Sequence, residues 1–237
     1  MIALVVPCYN ERTRLNLKAF AEASGPELQI LFVDDGSTDE TVSMILEFIA
    51  HHENMHVFAI EKNGGKAAAV RAGMLYIAAD VRLNTAEWVG YWDADLATPL
   101  WEIGNMLRFA EMYQFPVDSI WGSRIYRLGS HIVRSPHRHY LGRGFATLIS
   151  FMLHAKSYDS QCGAKLFRHE HLQTAFAEPF LSNWIFDLEI LLRFKGLTLI
   201  EYPLRQWQDV PGSKVKIFRE IARVFLDILR IRKKYLS

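Results

Sequence analysis

Residues 28–37 read LQILFVDDGS, a short apolar run that ends in two aspartates, a glycine and a serine. Continuous apolar runs are typical of parallel strands buried on both faces, and the polar end indicates a turn, so the run predicts a strand over 28–33. Helical stretches separate it from similar runs, which predict strands over 2–6, 55–60, 88–92 and 117–121. Because helical crossovers join parallel strands, the pattern predicts an α/β fold with a doubly wound, mostly parallel sheet.

The pattern changes near residue 125. Beyond this point it predicts helices over 140–153 and 184–194, a strand over 197–203 and a final helix from about residue 213. No Gly/Ser-rich linker, repeat or low-complexity tract separates the two parts. We therefore expect a single domain over 1–237.

The composition is that of a globular protein and excludes a disordered one. Of the 237 residues, 50% are hydrophobic and 22% are charged, and the formal net charge is +1. Cys8 and Cys162 form no CxxC pair and no signal peptide is present, so we expect a cytoplasmic protein without disulfides or a zinc site. No apolar run approaches the roughly 18–20 residues that span a bilayer. These features predict a soluble or peripheral protein.

Four predicted strands end in polar residues, and ligands of open α/β sheets bind beyond the carboxyl ends of the strands. After the strand over 88–92, Asp93 and Asp95 flank Ala94 and can both reach one hard cation, for which oxygen ligands favour Mg²⁺ or Mn²⁺. Such a cation would bridge a diphosphate and act as a Lewis acid. Alternatively, the two aspartates form a solvated turn or cap the following helix.

Two other strand ends favour a nucleotide ligand. A carboxylate at Asp34 or Asp35 can accept hydrogen bonds from a ribose or a base edge, although capping by Ser37 or Asp39 explains the same residues. The tetrapeptide Asn63-Gly64-Gly65-Lys66 leads into a predicted helix, and phosphate binds well at the start of a helix. The same tetrapeptide also forms plain turns. The chain has neither a GxGxxG fingerprint nor a P-loop, which disfavours a dinucleotide oxidoreductase and a P-loop NTPase.

Between Asp118 and Asp159 the sequence contains no carboxylate. Several histidines accompany the cationic residues of this stretch, which are Arg124, Arg127, Arg134, Arg138, Arg143 and Lys156. Such a stretch attracts anions, which favours a phosphate-bearing partner over a merely solvated basic face. Nucleic acid is not expected, because the overall charge is near neutral and no nucleic-acid-binding motif is present.

Taken in order, these motifs resemble the inverting family 2 glycosyltransferases with the GT-A fold. The first half supplies Pro7-x-Tyr9-Asn10-Glu11, Val33-Asp34-Asp35-Gly36-Ser37-x-Asp39, Asn63-x-Gly65-Lys66, Asp93-Ala94-Asp95 and Gly122-Ser123-Arg124. The second half supplies Asp159-Ser160-Gln161-Cys162-Gly163-Ala164-Lys165-Leu166-Phe167, Trp184-x-Phe186-Asp187-x-Glu189, Trp207 and Val210-Pro211-Gly212-Ser213-Lys214, which resemble the dolichyl-phosphate glucosyltransferase branch. One departure is Ala67-Ala68, where the family has a second glycine.

The resemblance implies a nucleotide-sugar-binding half over 1–124, an acceptor half over 125–212, and site residues in both. The implied nucleotide-sugar site consists of Pro7, Tyr9, Asn10, Glu11, Asp34, Asp35, Lys66, Asp93, Ala94 and Asp95. Asp93 and Asp95 would hold the metal, and Arg124 and Arg138 would meet the acceptor phosphate. The implied catalytic residues are Asp95, Arg124 and Asp187. Trp184 and Glu189 would border the acceptor, and Asp187 is either a base or a hydrogen-bonded helix residue.

The resemblance also implies the reaction. We expect a metal-dependent, inverting transfer of a hexose, with UDP-glucose as donor and a polyprenyl phosphate as acceptor. A phosphomonoester has a second pKa of about 6 and is already anionic near neutral pH, so this acceptor needs no strong base. The alternatives are transfer to a saccharide or protein hydroxyl, a nucleotidyltransferase, and a nucleotide-sugar-binding protein without catalysis.

The carboxyl-terminal segment 213–237 is predicted to form a basic amphipathic helix. Its eight basic residues accompany only two carboxylates, and Phe218, Ile221, Ala222, Phe225 and Leu229 form a helical apolar stripe. Eukaryotic members of the family have an amino-terminal membrane helix, and many bacterial members have carboxyl-terminal membrane helices, neither of which this sequence shows. The segment would therefore lie on the cytoplasmic membrane face, or else dock on the protein's own core.

Overall fold

A computed structural model describes residues 1–133, 152–153, 157–210 and 217–236, with the side chains of the last range from residue 223 onward. The strands are β1 Ile2–Cys8, β2 Leu28–Asp35, β3 Met55–Ile60, β4 Trp88–Trp92, β5 Ser119–Ser123, β6 His131–Val133, β7 Ala164–Arg168, β8 Leu199–Pro203 and β9 Gln206–Gln208. The helices are α1 Leu17–Ala23, α2 Thr41–Ile49, α3 Lys66–Ala79, α4 Glu102–Glu111, α5 Leu172–Phe176, α6 Phe186–Arg193 and α7 Ile217–Tyr235.

Seven strands form the central sheet in the order β3-β2-β1-β4-β7-β5-β8, and β6 and β9 form a separate pair. Strand β1 lies parallel to β2 and β4, and β5 lies parallel to β8. Among the strands in the described residues, only β7 runs antiparallel to its two neighbours in this sheet, β4 and β5. The prediction of a mostly parallel sheet is confirmed, and all five strands predicted in the first half are present.

Strand β7 was not predicted, because Lys165 interrupts its apolar residues. It lies between β4 and β5, so residues of the second half pass through the middle of the sheet. The short strands β6 and β9 were not predicted either. The predicted helix over 140–153 lies almost wholly outside the described residues, as does the start of the final helix.

Helices cover both faces of the sheet, as a doubly wound fold requires. One apolar core joins one face to α1, α2 and α4 through residues such as Phe20, Ile45 and Met106. A second core joins the other face to α3, α5 and α6 through residues such as Val70, Phe176 and Ile190. Both cores bury the strands, which explains their continuous apolar sequences.

Helix α7 docks on the protein through a third apolar cluster. Val224, Ile228 and Ile231 pack there with Ile185 and Leu188. Phe225 and Leu229, two residues of the stripe predicted from the sequence, lie on the exposed side. These two residues of the predicted stripe are therefore not part of the docking surface. Within the described ranges, no helix is both long and apolar enough to cross a membrane.

Candidate active site

A cleft of about 360 Å³ opens at the carboxyl ends of β1, β2 and β4. It is lined by eight of the ten residues predicted for the nucleotide sugar, namely Pro7, Tyr9, Glu11, Asp35, Lys66, Asp93, Ala94 and Asp95. Cys8, Arg14 and Ala69 also line it and were not predicted. The spacing of three residues between Glu11 and Arg14 was the signal in the sequence. In the structure the two residues form an ion pair. The fold thus joins motifs that are far apart in sequence.

Asp93 is held by two contacts in the cleft. Lys66 Nζ lies 2.5 Å from Asp93 Oδ1, and Asp93 N donates to Gly163 O at 3.0 Å. Burial opposes the charge of Lys66, but Asp93 and then Asp187 raise its pKa above the ordinary value. The lysine is therefore protonated, and its ammonium group contacts the carboxylate of Asp93, one of the two predicted metal ligands.

The second aspartate of the motif belongs to a tight turn. Asp95 Oδ1 accepts the N–H of Ala97 at 3.0 Å, and Leu96 adopts a φ of 52°. This left-handed conformation is strained for leucine, and such strain concentrates at functional sites. Burial and the neighbouring Asp93 carboxylate raise the pKa of Asp95. A cation between the two carboxylates would relieve their repulsion, so the donor set fits Mg²⁺ or Mn²⁺.

A different group of side chains meets at the opposite edge of the sheet. Asp118, Glu170 and His171 bring one ligand atom each within 4.8 Å of one another. Asp118 Oδ1 lies 2.9 Å from His171 Nε2, and Asp118 Oδ2 accepts the N–H of Thr198 at 2.6 Å. These contacts tie the start of β5 to the segment after β7. The group lies away from the cleft.

The two aspartates at the end of β2 have different partners. Asp35 accepts the N–H groups of Gly64 and Gly65 at 2.8 and 2.7 Å, so a carboxylate binds the glycine turn where a phosphate was expected. Burial raises the pKa of Asp35, and these two N–H groups partly offset the effect. Asp34 does not line the cleft but accepts the N–H and the hydroxyl of Ser37, at 2.9 and 2.5 Å.

Asn10 also lies outside the lining of the cleft and links the ends of β1 and β2. The Asn10 side-chain oxygen Oδ1 accepts the backbone N–H of Thr38 at 2.8 Å, and the backbone N–H of Asn10 donates to Ser37 Oγ at 2.9 Å. Its φ is 52°, a conformation that asparagine tolerates better than most residues. Asn10 therefore shapes the turn beside Tyr9 and Glu11, which do line the cleft.

Arg124 follows β5 and forms a bidentate ion pair with Asp159. Arg124 Nε and Nη2 each donate to an Asp159 oxygen at 2.6 Å. The guanidinium also lies 5.3 Å from the ring centroid of Trp207. Burial opposes its charge, but Asp159 raises its pKa above the ordinary value. Glu201 holds Asp159 by accepting its N–H at 2.9 Å. Arg138 lies outside the described residues.

Asp187 is the second residue of α6 and is buried. Its Oδ1 accepts a hydrogen bond from Lys165 Nζ at 2.7 Å and another from the hydroxyl of Tyr91. Lys165 is fully buried in β7 and was not predicted as a functional residue. A lysine inside an apolar strand run was the signal that the sequence offered.

The remaining predicted residues lie just before α6 and within it. Glu189 is buried and accepts the N–H groups of Leu181 and Ser182 at 2.8 and 3.0 Å. Burial raises the pKa of Glu189, and those two N–H groups oppose the rise. Trp184 is partly exposed, and its carbonyl accepts a hydrogen bond from Gln161 at 3.2 Å. Glu189 therefore holds the segment that presents Trp184.

Solved structures of other proteins share the fold of this chain. Glucosyl-3-phosphoglycerate synthase from Mycobacterium tuberculosis, in complex with Mn²⁺, UDP-glucose and phosphoglyceric acid, matches with a TM-score of 0.63 at 17% identity over 98% of this chain and 79% of that chain. S. aureus TarS in complex with UDP matches with a TM-score of 0.58 at 16% identity over 100% of this chain and 66% of that chain. The fold is the GT-A glycosyltransferase fold.

Sequence comparison gives the family. The profile of glycosyl transferase family 2 matches residues 3–176, and the chain belongs to this family. The dolichyl-phosphate beta-glucosyltransferase of Saccharomyces cerevisiae is 30% identical over 99% of this chain and 75% of its own length. The Homo sapiens protein of the same name is 28% identical over 100% of this chain and 76% of its own length.

Proposed function

We propose that this protein transfers glucose from UDP-glucose to a polyprenyl phosphate, with inversion at the anomeric carbon. The observation that carries the proposal is the single cleft in which Asp93, Asp95, Lys66 and Glu11 meet at the carboxyl edge of the sheet. The relatives named dolichyl-phosphate beta-glucosyltransferase match nearly the whole chain and support the sugar and the acceptor class. The synthase solved with UDP-glucose supports the donor.

The donor would bind along the cleft from β1 to β4. Pro7, Tyr9 and Glu11 line its β1 side and would contact the uridine, with Asp35 beyond them. Lys66 would contact the diphosphate, because its ammonium group already lies at the Asp93 carboxylate. Asp93 and Asp95 would hold Mg²⁺ or Mn²⁺, which supplies charge neutralisation for the leaving diphosphate when bound. Asn10 and Asp34 would act indirectly, through the turns that they stabilise.

The proposed chemistry is a direct displacement. An oxygen of the acceptor phosphate attacks the anomeric carbon, the bond from this carbon to the UDP oxygen breaks, and UDP leaves. The acceptor oxygen is anionic near neutral pH, since a phosphomonoester has a second pKa of about 6. Transfer to a phosphate therefore requires orientation and charge stabilisation more than a general base.

The acceptor phosphate would meet Arg124, which follows β5. Arg124 keeps a fixed position because Asp159 holds it and Glu201 holds Asp159 in turn. Its remaining N–H groups would donate to the phosphate, for which the planar guanidinium is well suited. Arg138 is proposed as the second phosphate ligand from the sequence pattern alone.

The lipid acceptor would bring the protein to a membrane surface, and α7 has a suitable face. Its only carboxylate from residue 223 onward, Asp227, is buried and accepts a hydrogen bond from Ser182 at 2.7 Å. The exposed side of this part of the helix carries Phe225, Leu226 and Leu229 together with Arg230, Arg232, Lys233 and Lys234. Apolar side chains among basic ones bind anionic lipid surfaces. We call this exposed side the basic face of α7.

A nucleotide-sugar screen tests the proposed function. The purified protein is incubated with UDP-glucose and other nucleotide sugars, with Mg²⁺ or Mn²⁺, and with a polyprenyl phosphate or a saccharide. The proposal expects UDP release and a glucosylated lipid phosphate that requires UDP-glucose. Release of pyrophosphate would indicate a nucleotidyltransferase, and glucosylation of the saccharide alone would indicate a hydroxyl acceptor. Binding without turnover would indicate a nucleotide-sugar-binding protein.

A further inference from the structure

Lys165 is a lysine without solvent contact in the middle of the sheet. Its side chain is 0% exposed, and Nζ donates to Asp187 Oδ1 at 2.7 Å and to the carbonyl of Cys162 at 2.5 Å. The ammonium also lies 4.5 Å from the ring centroid of Trp121 and 5.2 Å from that of Tyr91. A buried ammonium needs a charged partner to remain protonated without a large cost. Asp187 is that partner.

Asp187 is held in place from two sides. It is 5% exposed, and its Oδ1 accepts hydrogen bonds from both Lys165 and Tyr91. Tyr91 is fully buried, and its hydroxyl is the donor in this contact. A carboxylate with two buried donors has little freedom to turn toward a substrate.

The segment that ends at Asp187 contacts α7, Gln161 and the glycine turn beside the cleft. We call residues 181–187 the junction segment. Its Ser182 bonds to Asp227 of α7 at 2.7 Å, and its Trp184 carbonyl accepts from Gln161 at 3.2 Å. Asn183 lies against the glycine turn before Lys66, where a Cβ on Gly65 would come within 3.1 Å of it. Asp187 is the last residue of this segment.

We propose that Lys165 and Asp187 are positioning residues, whose buried ion pair holds the junction segment against the donor cleft, and that Asp187 is a counterion and not a general base. The proposal rests on the proposed transferase function. It gives a role to Lys165 and chooses between the two roles that the sequence leaves open for Asp187. The pair ties β7 and, through Tyr91, β4 to the first turn of α6.

The two roles of Asp187 differ in one consequence. If Asp187 is a counterion, its replacement by asparagine leaves the Lys165 charge buried and unpaired, and removal of that charge repairs the damage. If Asp187 is a base, removal of Lys165 repairs nothing, because the proton acceptor is still missing. A double variant therefore separates the two roles.

The test compares Asp187→Asn, Lys165→Met and the double variant Lys165→Met/Asp187→Asn. Thermal unfolding gives the melting temperature of each variant, and UDP affinity with Mn²⁺ and kcat and KM for the lipid phosphate are then measured well below that temperature. We expect Asp187→Asn to lower kcat/KM for the acceptor at least about thirtyfold, and the double variant to recover at least about tenfold of this loss. UDP affinity should fall less than kcat/KM for the acceptor, because the pair does not line the donor cleft and acts on it only through the junction segment.

A matched control breaks an ion pair on the surface. Arg82 and Asp80 lie 2.7 Å apart and Arg82 is exposed, so Arg82→Gln should leave kcat and KM unchanged. A double variant no better than Asp187→Asn would overturn the proposal in favour of a base. An Asp187→Asn protein with a lower melting temperature but wild-type kcat and KM would also overturn it, since the pair would then serve stability alone.

The experiment remains decisive if Asp187→Asn does not fold. The double variant alone then decides, because it lacks the carboxylate but also lacks the buried charge. Transfer within about tenfold of wild type supports the counterion role, whereas a loss of about 10²- to 10⁴-fold in a folded double variant, typical of a missing base, overturns it. A wild-type protein that binds UDP but transfers nothing would contradict the proposed function and not the role of the pair.

Discussion

Gly163 lies directly against the carboxylate of Asp93. The carbonyl of Gly163 accepts the Asp93 N–H at 3.0 Å, and a Cβ atom at position 163 would overlap the Asp93 carboxylate. The glycine just before β7 therefore leaves room for the side chain proposed to hold the metal. Because β7 comes from the second half of the chain, this contact joins the proposed acceptor half to the proposed donor site.

Gly163→Ala should displace the Asp93 carboxylate without unfolding the protein, because the carboxylate is the rotatable end of a side chain. We expect the affinity for UDP in the presence of Mn²⁺ to fall at least about tenfold, or about 1.4 kcal/mol. Titration calorimetry measures it. Gly25→Ala is the matched control, since a Cβ there meets nothing within 4 Å. Unchanged affinity in Gly163→Ala would mean that the Asp93 position does not matter for the donor.

Asp95→Asn should remove one hard oxygen ligand where the leaving-group charge develops. We expect metal-dependent turnover to fall by about 10²- to 10³-fold, the usual loss when an electrostatic contact to the transition state is deleted. Calorimetric titration with UDP and Mn²⁺ measures the metal-dependent part of donor binding separately from turnover. Glu111→Gln, at the exposed end of α4, serves as the control. Wild-type affinity and rate in Asp95→Asn would refute the metal assignment.

Arg124→Ala and Arg138→Ala should impair transfer to a lipid phosphate far more than UDP binding, because both are assigned to the acceptor. A charge-assisted hydrogen bond contributes about 1.5–3 kcal/mol, so kcat/KM for the acceptor should fall about 10- to 100-fold. Arg82→Ala removes an exposed arginine paired with Asp80 and should change neither quantity. An equal fall in UDP affinity would assign these arginines to the donor site instead.

The basic face of α7 should bind anionic liposomes and not neutral ones. Each basic residue near an anionic surface contributes about 1 kcal/mol, and salt screens this over about 8–10 Å, so binding should weaken as salt rises. We expect cosedimentation to fall when glutamine replaces the basic residues Lys214, Lys216, Arg230, Arg232, Lys233 and Lys234.

Two single variants separate the apolar contribution from the charge. Leu229→Ser, on the exposed side of α7, should also weaken liposome binding, whereas Leu46→Ser, at an exposed position of α2, should not. If the wild type ignores anionic liposomes at low salt and glucosylates a water-soluble hydroxyl acceptor, the lipid-phosphate proposal is wrong.

The sequence by itself determined the fold class and most of the lining of the cleft at the carboxyl edge of the sheet. Its apolar runs predicted the strands over 55–60 and 88–92 with the bounds of β3 and β4. An apolar run is a local property of the sequence, so it can be recognised without the fold. In a parallel sheet the carboxyl ends of such strands meet at one edge, where ligands bind. Asp93, Lys66 and Glu11 could therefore be assigned to one edge of the sheet without knowledge of their contacts.

Only the tertiary structure decided which partner each charged group has. Lys165 and Asp187, 22 residues apart, form a buried pair, and Arg124 is held by Asp159, 35 residues away. No local pattern encodes such pairs, because they depend on strand β7, which enters the sheet antiparallel between β4 and β5. The same reason applies to α7, since its docking stripe depends on the apolar surface around Ile185 and Leu188. Burial then sets the cost of each unpaired charge, and burial is a property of the folded chain alone.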